Sequence, residues 1–367
     1  MTKVPHTGSS HSTGQIHILT GLRGIAALIV FISHAANRGY LPNFLGTGFG
    51  QIGVMLFFLL SGFLMAHLYL SRDCTPKHVM EYGLARIGRV FPLYMVLIIL
   101  SFVISNYIFE GFYYSIEKLE YVKEALLFMG APYAFWTIPV EVQFYLIFIV
   151  FWWCHHAWNG KWNILIFGLL TCLPPIIAVL YDHEIIGQTS RYLFSFFIGI
   201  VTALLYRHKP ESGRFKQLAD FAGLPFFILL FLNLPQIRKY VGLSLDQNVY
   251  IRTWLDPLTW AIIWGVFWCA LMNSASLTFL NWRPFAFFGG ISYGFYLLHP
   301  PILQHTLVLP LPNLVKLGLA FLITLFLAVL SFYWFEKPVG SSIRNFRLTP
   351  RVPDLKVADK LSKIGKV

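Results

Sequence analysis

The sequence predicts an all-α, polytopic integral membrane protein that crosses the bilayer about ten times. Of its 367 residues, 57% are hydrophobic and 12% are charged, against roughly 25% charged in an average soluble domain. Aromatic residues contribute 17%, and long apolar windows recur along the chain. The net charge of +12 fits basic residues that anchor loops at anionic membrane lipids, so no nucleic-acid partner is expected.

The predicted spans lie between two polar tails. Residues 1–16 form a polar N-terminal tail without the features of a cleaved signal peptide, and residues 338–367 form a basic cytoplasmic tail. The transmembrane domain covers residues 17–337. Its apolar windows predict ten helices at 17–37, 51–71, 90–109, 138–157, 162–181, 191–206, 219–234, 254–273, 285–305 and 314–335. The seventh window is short and flanked by proline, so nine or eleven spans are alternatives.

An even number of spans places both termini on one side of the membrane. The cytoplasm is the expected side, because the loops and tails placed there hold most of the 28 Lys and Arg residues.

The outer loop 110–136 is acidic and amphipathic, and it is long enough for an interfacial or re-entrant element. The four cysteines are scattered without a CxxC pair, so neither a metal site nor a disulfide framework is expected.

Two ionisable residues lie inside the first predicted span. Arg23 and His34 are eleven residues apart, which brings them to within ~20° of the same helix face at a rise of roughly 16 Å. An ionisable side chain in hydrocarbon is costly unless it has a partner or a water-lined cavity. Both residues are therefore functional candidates.

Toward the cytoplasm, Arg23 lies at a similar predicted depth to Arg86 and Arg89, which share a helix face at i and i+3. Guanidinium groups bind phosphate in bidentate fashion, so these residues could bind a phosphorylated donor. The alternative is that Arg86 and Arg89 anchor the topology and that Arg23 pairs with Glu336.

Toward the outer face, His34 lies at a similar predicted depth to Glu141 and His299. A neutral histidine beside a carboxylate can deprotonate a hydroxyl group, although each residue alone could be structural. The two layers together suit acyl transfer across a membrane. The phosphates of a donor such as coenzyme A would bind inside, and its pantetheine arm spans about the ~16 Å from Arg23 to His34.

The segment from Leu22 to His34 resembles the R-x10-H signature of the membrane acyltransferase-3 family. Five further matches follow in family order, with Thr137 and Ile138 replacing the usual Ser and Leu of the third. They are Phe57–Phe63 (F-F-x-x-S-G-F), Arg86–Tyr94 (R-x-x-R-x-x-P-x-Y), Trp136–Tyr145 (W-S-L-x-x-E-x-x-F-Y), Ile291–Pro300 (S-Y-x-x-Y-L-x-H) and Glu336–Pro338. The resemblance covers about residues 17–340.

The resemblance implies a multi-pass O-acyltransferase of the bacterial cytoplasmic membrane, of the stand-alone type without a fused hydrolase domain. Such enzymes move an acyl group, usually acetyl from acetyl-CoA, to a hydroxyl of a cell-envelope carbohydrate such as lipopolysaccharide or peptidoglycan. Some members acylate macrolides instead. The expected partners are acyl-CoA, a carbohydrate acceptor and membrane lipids, with no bound cofactor and no metal. Nothing in the sequence indicates the oligomeric state.

On this hypothesis His34 is the general base, or a transient acyl carrier, and Glu141 orients it. Arg23, Arg86 and Arg89 would hold the phosphates of coenzyme A or polarise the thioester. Six further residues are expected to shape the pocket. They are Ser61, Tyr145, Ser292, Tyr293, Tyr296 and His299.

Two alternative hypotheses compete with that of an acyltransferase. A transporter or flippase would use buried Arg, His and Glu as a substrate path, but it predicts inverted repeats, which the sequence does not show. A catalytically silent sensor on the same scaffold is the second. The outer loops 110–136 and 235–253 are expected to recognise the acceptor, with Phe112, Tyr113 and Tyr114 suited to stacking on sugars or to lying in the interfacial belt.

Overall fold

The computed structural model describes residues 11–346, apart from 158–160, 181–187, 210–212, 235–236 and 239–252. The described part of the chain is helical and contains no strand. Its helices are α1 (His11–Asn37), α2 (Phe49–Tyr69), α3 (Pro76–Val103), α4 (Leu119–Leu126), α5 (Thr137–Ala157), α6 (Lys161–Leu180), α7 (Gln188–Arg207), α8 (Gly213–Leu232), α9 (Pro257–Leu271), α10 (Arg283–Leu307), α11 (Asn313–Ser331) and α12 (Lys337–Arg344). A π-helical turn extends α3 over Ile104–Ile108, and a second one, Phe332–Glu336, joins α11 to α12.

Each of the ten predicted ranges overlaps a helix of the structure. Within the described residues, six helical segments are long and apolar enough to cross a membrane. A seventh is added if α9 and the following turn Ala275–Asn281, which are bent by 81°, form one span. The protein is therefore a multi-pass membrane protein. The count of ten spans and the cytoplasmic side of both termini stay predictions.

The limits of the transmembrane domain stay predictions as well. The first helix begins at His11 rather than at residue 17. At the other end, α12 is helical over Lys337–Arg344, where the sequence predicted the start of the basic tail. The predicted tail segments 1–10 and 347–367 lie outside the described residues, and so does nearly all of the outer loop 235–253.

Glycines let two pairs of helices approach to backbone contact. A Cβ atom added to Gly289 of α10 would lie 1.7 Å from the carbonyl oxygen of Thr20 on α1. Between α2 and α7, a Cβ at Gly62 would lie 2.0 Å from the carbonyl oxygen of Phe196. Small residues at helix contacts are the usual means of close packing in membranes. These contacts fix α10 against α1 and α7 against α2.

A proline in α10 ties the outer loop to the helix bundle. Pro301 has no N–H, so the carbonyl of Leu297 loses its helical donor. The hydroxyl of Tyr114 donates to that carbonyl at 2.8 Å. Tyr114 is 1% exposed, and burial raises the pKa of its phenol well above the ordinary value, so it stays a neutral donor. The loop that carries α4 is thereby docked on the bundle, next to His299.

Candidate functional site

Two cavities adjoin α1, and each contains one of the two ionisable residues predicted from its sequence. The first cavity is lined by Arg23, Arg89 and Glu141 among mainly apolar side chains. The second is lined by His34 among polar and aromatic side chains. Val54 and Tyr296 line both cavities. The two spaces are therefore neighbours that share a wall.

Glu141 of the first cavity is held by two hydroxyl donors. Its Oε1 atom accepts a hydrogen bond from Ser61 of α2 at 2.8 Å. The same oxygen accepts from the hydroxyl of Tyr145, one helical turn further along α5. A carboxylate that receives two hydrogen bonds keeps a fixed position. The predicted pocket residues Ser61 and Tyr145 are thus direct partners of Glu141.

The three predicted arginines gather around this carboxylate. Arg23 interacts electrostatically with Arg89, Glu141 and Arg86, and both Arg23 and Arg89 line the first cavity. Within the described residues, neither of these two forms an ion pair with an acidic side chain. Two guanidinium groups facing a cavity with a single carboxylate make a site for an anionic group.

Arg86 has a different position from the other two arginines. It is not among the residues that line the first cavity. Its Cζ atom lies 5.8 Å from the centre of the Tyr145 ring, and its Nε atom is buried without a hydrogen-bond partner. Contact with the ring places Arg86 behind Tyr145, so it supports the partner of Glu141 rather than facing the empty space.

The expected alternative pair of Arg23 and Glu336 does not form. Oε1 of Glu336 accepts from Ser331 at 2.7 Å, and its arginine neighbour is Arg89. Oε1 also lies only 2.8 Å from where a Cβ of Gly294 would be, which places Glu336 directly against α10. Glu336 therefore joins the charge cluster of the first cavity through Arg89.

The ring partner of His34 is His299, and not Glu141 as the depth argument suggested. Nδ1 of His34 lies 2.8 Å from Nε2 of His299, and the two rings are stacked with their centres 5.0 Å apart. Glu141 lies with Arg23 in the first cavity and hydrogen bonds to α2. Depth along a helix axis gives no lateral position, which is why the sequence placed Glu141 beside His34.

The second cavity combines hydrogen-bonding and aromatic side chains around His34. Its polar residues are Ser33, Asn37 and Gln51, and its aromatic residues are Tyr113, Tyr133, Trp136 and Tyr296. Gln51 is fixed by a 2.8 Å hydrogen bond from Trp254. The sequence analysis did not select Asn37 or Gln51. Amide side chains at the ends of the first two spans, Asn37 and Gln51, were the signal that could have found them.

The remaining predicted pocket residues direct their hydroxyl groups to backbone carbonyls. Ser292 donates to Gly289 at 2.8 Å, and Tyr293 donates to Val90 of α3 at 2.6 Å. Tyr296 donates to the carbonyl of Ala134 at 3.1 Å. All three line the first cavity. All three hydroxyl groups are engaged, so these residues shape the cavity. Tyr293 and Tyr296 also hold α10 against its neighbours, whereas the bond of Ser292 lies within α10.

Among the described residues, no group of three or more His, Cys, Asp or Glu could hold a metal ion. The cysteines Cys74, Cys154, Cys172 and Cys269 are all free.

Comparison with known proteins identifies the class. Residues 16–336 match the family described as an acyltransferase domain, and the chain belongs to this family. The expected membership of the acyltransferase-3 family is confirmed by this match.

Three relatives are named as O-acetyltransferases of bacteria. A candidate peptidoglycan O-acetyltransferase of Bacillus subtilis, YrhL, is 26% identical over 95% of this chain. The O-acetyltransferase OatA of Staphylococcus aureus is 23% identical over 91% of it, and the peptidoglycan O-acetyltransferase OatA of Listeria monocytogenes is 24% identical over 90%. The chain spans 59%, 58% and 56% of the lengths of these relatives, respectively. No solved structure matches the chain.

Proposed function

We propose that the protein is an O-acetyltransferase of the bacterial cytoplasmic membrane that modifies a hydroxyl group of a cell-envelope glycan. Family membership supports the reaction class. The relatives named as peptidoglycan O-acetyltransferases support the acetyl group and the glycan acceptor. The observation that carries the proposal is the pair of adjoining cavities along α1, one with Arg23 and the other with His34.

The first cavity suits an acyl-CoA donor. Arg23 and Arg89 supply positive charge for phosphate or for the thioester oxygen, and the rest of the lining is mainly apolar. An apolar cavity with a few convergent polar groups is the usual form of a cofactor-sized site. Acetyl-CoA would bind with its charged end at the arginines and its reactive end toward the shared wall.

The second cavity suits a sugar. Tyrosine and tryptophan rings stack on the apolar faces of pyranoses, and amide and hydroxyl groups exchange hydrogen bonds with sugar hydroxyls. Tyr133, Trp136 and Gln51 provide both kinds of contact. His34 lies in the same cavity, so a glycan hydroxyl bound there would meet an imidazole.

The reaction follows from this arrangement. His34 takes the proton of the acceptor hydroxyl as its oxygen attacks the acyl carbonyl carbon. A C–O bond forms and the C–S bond of the donor breaks. The proton on His34 then passes to the departing thiolate, which restores the neutral imidazole. Arg23 or Arg89 would stabilise the negative charge that develops on the carbonyl oxygen.

The test uses the full chain purified into lipid nanodiscs, with radiolabelled acetyl-CoA and a soluble peptidoglycan glycan as acceptor. We expect label in the glycan with the wild-type protein and its loss by at least ~100-fold in His34→Ala, the usual scale for removing a general base. The matched control is His305→Ala, because His305 lies on α10 but lines neither cavity.

Three outcomes would contradict the proposal. Transfer by His34→Ala at the wild-type rate would remove the general base. Label on a macrolide but not on glycan would change the acceptor class. With the protein in sealed proteoliposomes instead of nanodiscs, movement of unmodified glycan across the membrane without acetyl transfer would favour the transporter.

A further inference from the structure

The ring of His299 has a fixed pattern of donors and acceptors. Its Nδ1 atom lies 3.2 Å from the carbonyl oxygen of Phe295, and the carbonyl of Tyr296 interacts with the same ring. Carbonyl oxygens only accept hydrogen bonds. Nδ1 of His299 must therefore carry a hydrogen. In the neutral ring, Nε2 is then left as an acceptor.

Pro300 makes a second carbonyl, that of Tyr296, available to the ring of His299. Proline has no N–H, so the carbonyl of Tyr296 has no helical donor one turn later. A ring placed on the residue before such a proline can use the freed oxygen. His299 is fully buried, at 0% exposure, and buried carbonyls nearly always find a donor. The carbonyl of Phe295, with the freed carbonyl of Tyr296 beside it, thus sets the orientation and the tautomer of the imidazole.

The tautomer of His34 follows from that of His299. Because Nε2 of His299 is an acceptor, Nδ1 of His34, 2.8 Å away, must donate to it. The hydrogen of the neutral His34 ring then lies on Nδ1, and Nε2 carries the lone pair. His34 lines the second cavity, so this ring presents a proton acceptor to whatever binds there.

We propose that His299 is a positioning residue that holds His34 in the tautomer with a basic Nε2, through the chain Phe295 carbonyl, His299 and His34. This inference rests on the proposed role of His34 as general base. When His34 accepts the substrate proton at Nε2, its Nδ1–H still donates to His299. The imidazolium therefore forms without rearrangement, and the proton leaves from Nε2 to the thiolate.

Two substitutions at His299 separate this role from packing. The amide oxygen of glutamine can occupy the place of the histidine Nε2 atom, whereas the shorter asparagine reaches only the place of Nδ1. His299→Gln keeps an acceptor for His34, and His299→Asn keeps only the contact with the Phe295 carbonyl. A wrong histidine tautomer has lowered kcat by as much as ~10⁴-fold in the serine-protease triad.

The experiment measures kcat and KM for acetyl transfer with both variants, beside His34→Ala and the control His305→Ala. We expect His299→Gln to keep kcat within about tenfold of wild type and His299→Asn to lose at least ~100-fold. The KM for acetyl-CoA should stay unchanged in both, because the charged residues of the donor cavity are not touched. Thermal unfolding of each variant confirms that it folds.

A direct measurement avoids dependence on the variants. Solid-state NMR of the wild-type protein with ¹⁵N-labelled histidine should show protonated Nδ1 and unprotonated Nε2 for His34, whose signals vanish in His34→Ala. The opposite tautomer would overturn the proposal, and so would His299→Asn as active as His299→Gln while His34→Ala is inactive. Activity in His34→Ala would instead remove the proposed function itself.

Discussion

Arg23 and His34 stand on nearly the same face of α1, yet their side chains line different cavities. Arg23 shares its cavity with Arg89 and Glu141, and His34 shares its own with Tyr296 and Trp136. One helix therefore contributes a residue to each cavity, and its rotation is fixed by the contact of α1 with Gly289.

Substitutions of Arg89 and of Arg86 should affect the binding of acetyl-CoA to different extents. Arg89 lines the first cavity and Arg86 does not. We expect Arg89→Gln to raise the KM for acetyl-CoA by about tenfold or more, since a charge-assisted hydrogen bond contributes about 1.5–3 kcal/mol. Arg86→Gln should change that KM little and lower kcat or stability through Tyr145. An equal rise in KM with both variants would contradict the placement of Arg86 behind the ring of Tyr145, away from the donor.

Replacing Glu141 should lower acetyl transfer more than removing either of the two hydroxyl groups that donate to it. Glu141→Gln removes the negative charge beside Arg23 while keeping the size of the side chain. We expect transfer to fall well below that of Ser61→Ala, in which Tyr145 still donates to the carboxylate. Losing the single Ser61 bond should cost about 1–3 kcal/mol of stability, measured by thermal unfolding in nanodiscs. If Ser61→Ala is less active than Glu141→Gln, the hydroxyl of Ser61 is more important for transfer than the carboxylate of Glu141, contrary to this prediction.

The neighbouring glycines of α10 form a matched pair for stability. A Cβ at Gly289 meets the carbonyl of Thr20, whereas nothing lies within 4 Å of one at Gly290. We expect Gly289→Ala to destabilise the protein by on the order of 1–3 kcal/mol, the usual cost of overpacking. Gly290→Ala should stay within about 0.5 kcal/mol of wild type. If both melt alike in thermal unfolding, α1 and α10 do not touch as closely as described.

Adjacent tyrosines of the outer loop test its docking on α10. Tyr114→Phe leaves the buried Leu297 carbonyl without a donor and should cost about 1–3 kcal/mol. Tyr113→Phe is the control, because the ring that Arg38 contacts at 4.7 Å is kept. Hydrogen–deuterium exchange over residues 110–136 should rise in the first variant only. A rise in both would mean that ring packing, and not the hydroxyl, holds the loop.

The sequence predicted what depends on composition and on position along a helix. Apolar windows located a helix in each predicted range, and the sequence places Arg23 and His34 at different depths. Arg89, Ser61 and Tyr293, which line the first cavity, lie within the motifs that resemble the acyltransferase-3 family. The resemblance, and not the spacing alone, therefore pointed to them.

Lateral neighbours could not be read in the same way. The partner of His34 depends on how α10 leans on α1, which is set by a backbone contact at Gly289 and by a carbonyl freed at Pro300. Arg86 and Arg89 lie in one motif, yet Arg86 contacts the ring of Tyr145, whereas Arg89 lines the cavity. Such differences of a few ångströms come from packing and leave little trace in residue spacing.

Val54 and Tyr296 line both cavities, so in the proposed reaction the acyl group of the donor must pass these two side chains to reach His34. Tyr296 is held in place by its hydrogen bond to the carbonyl of Ala134, and Val54 adds an apolar side chain. The space between these two residues would therefore limit the length of the acyl group that the protein can transfer.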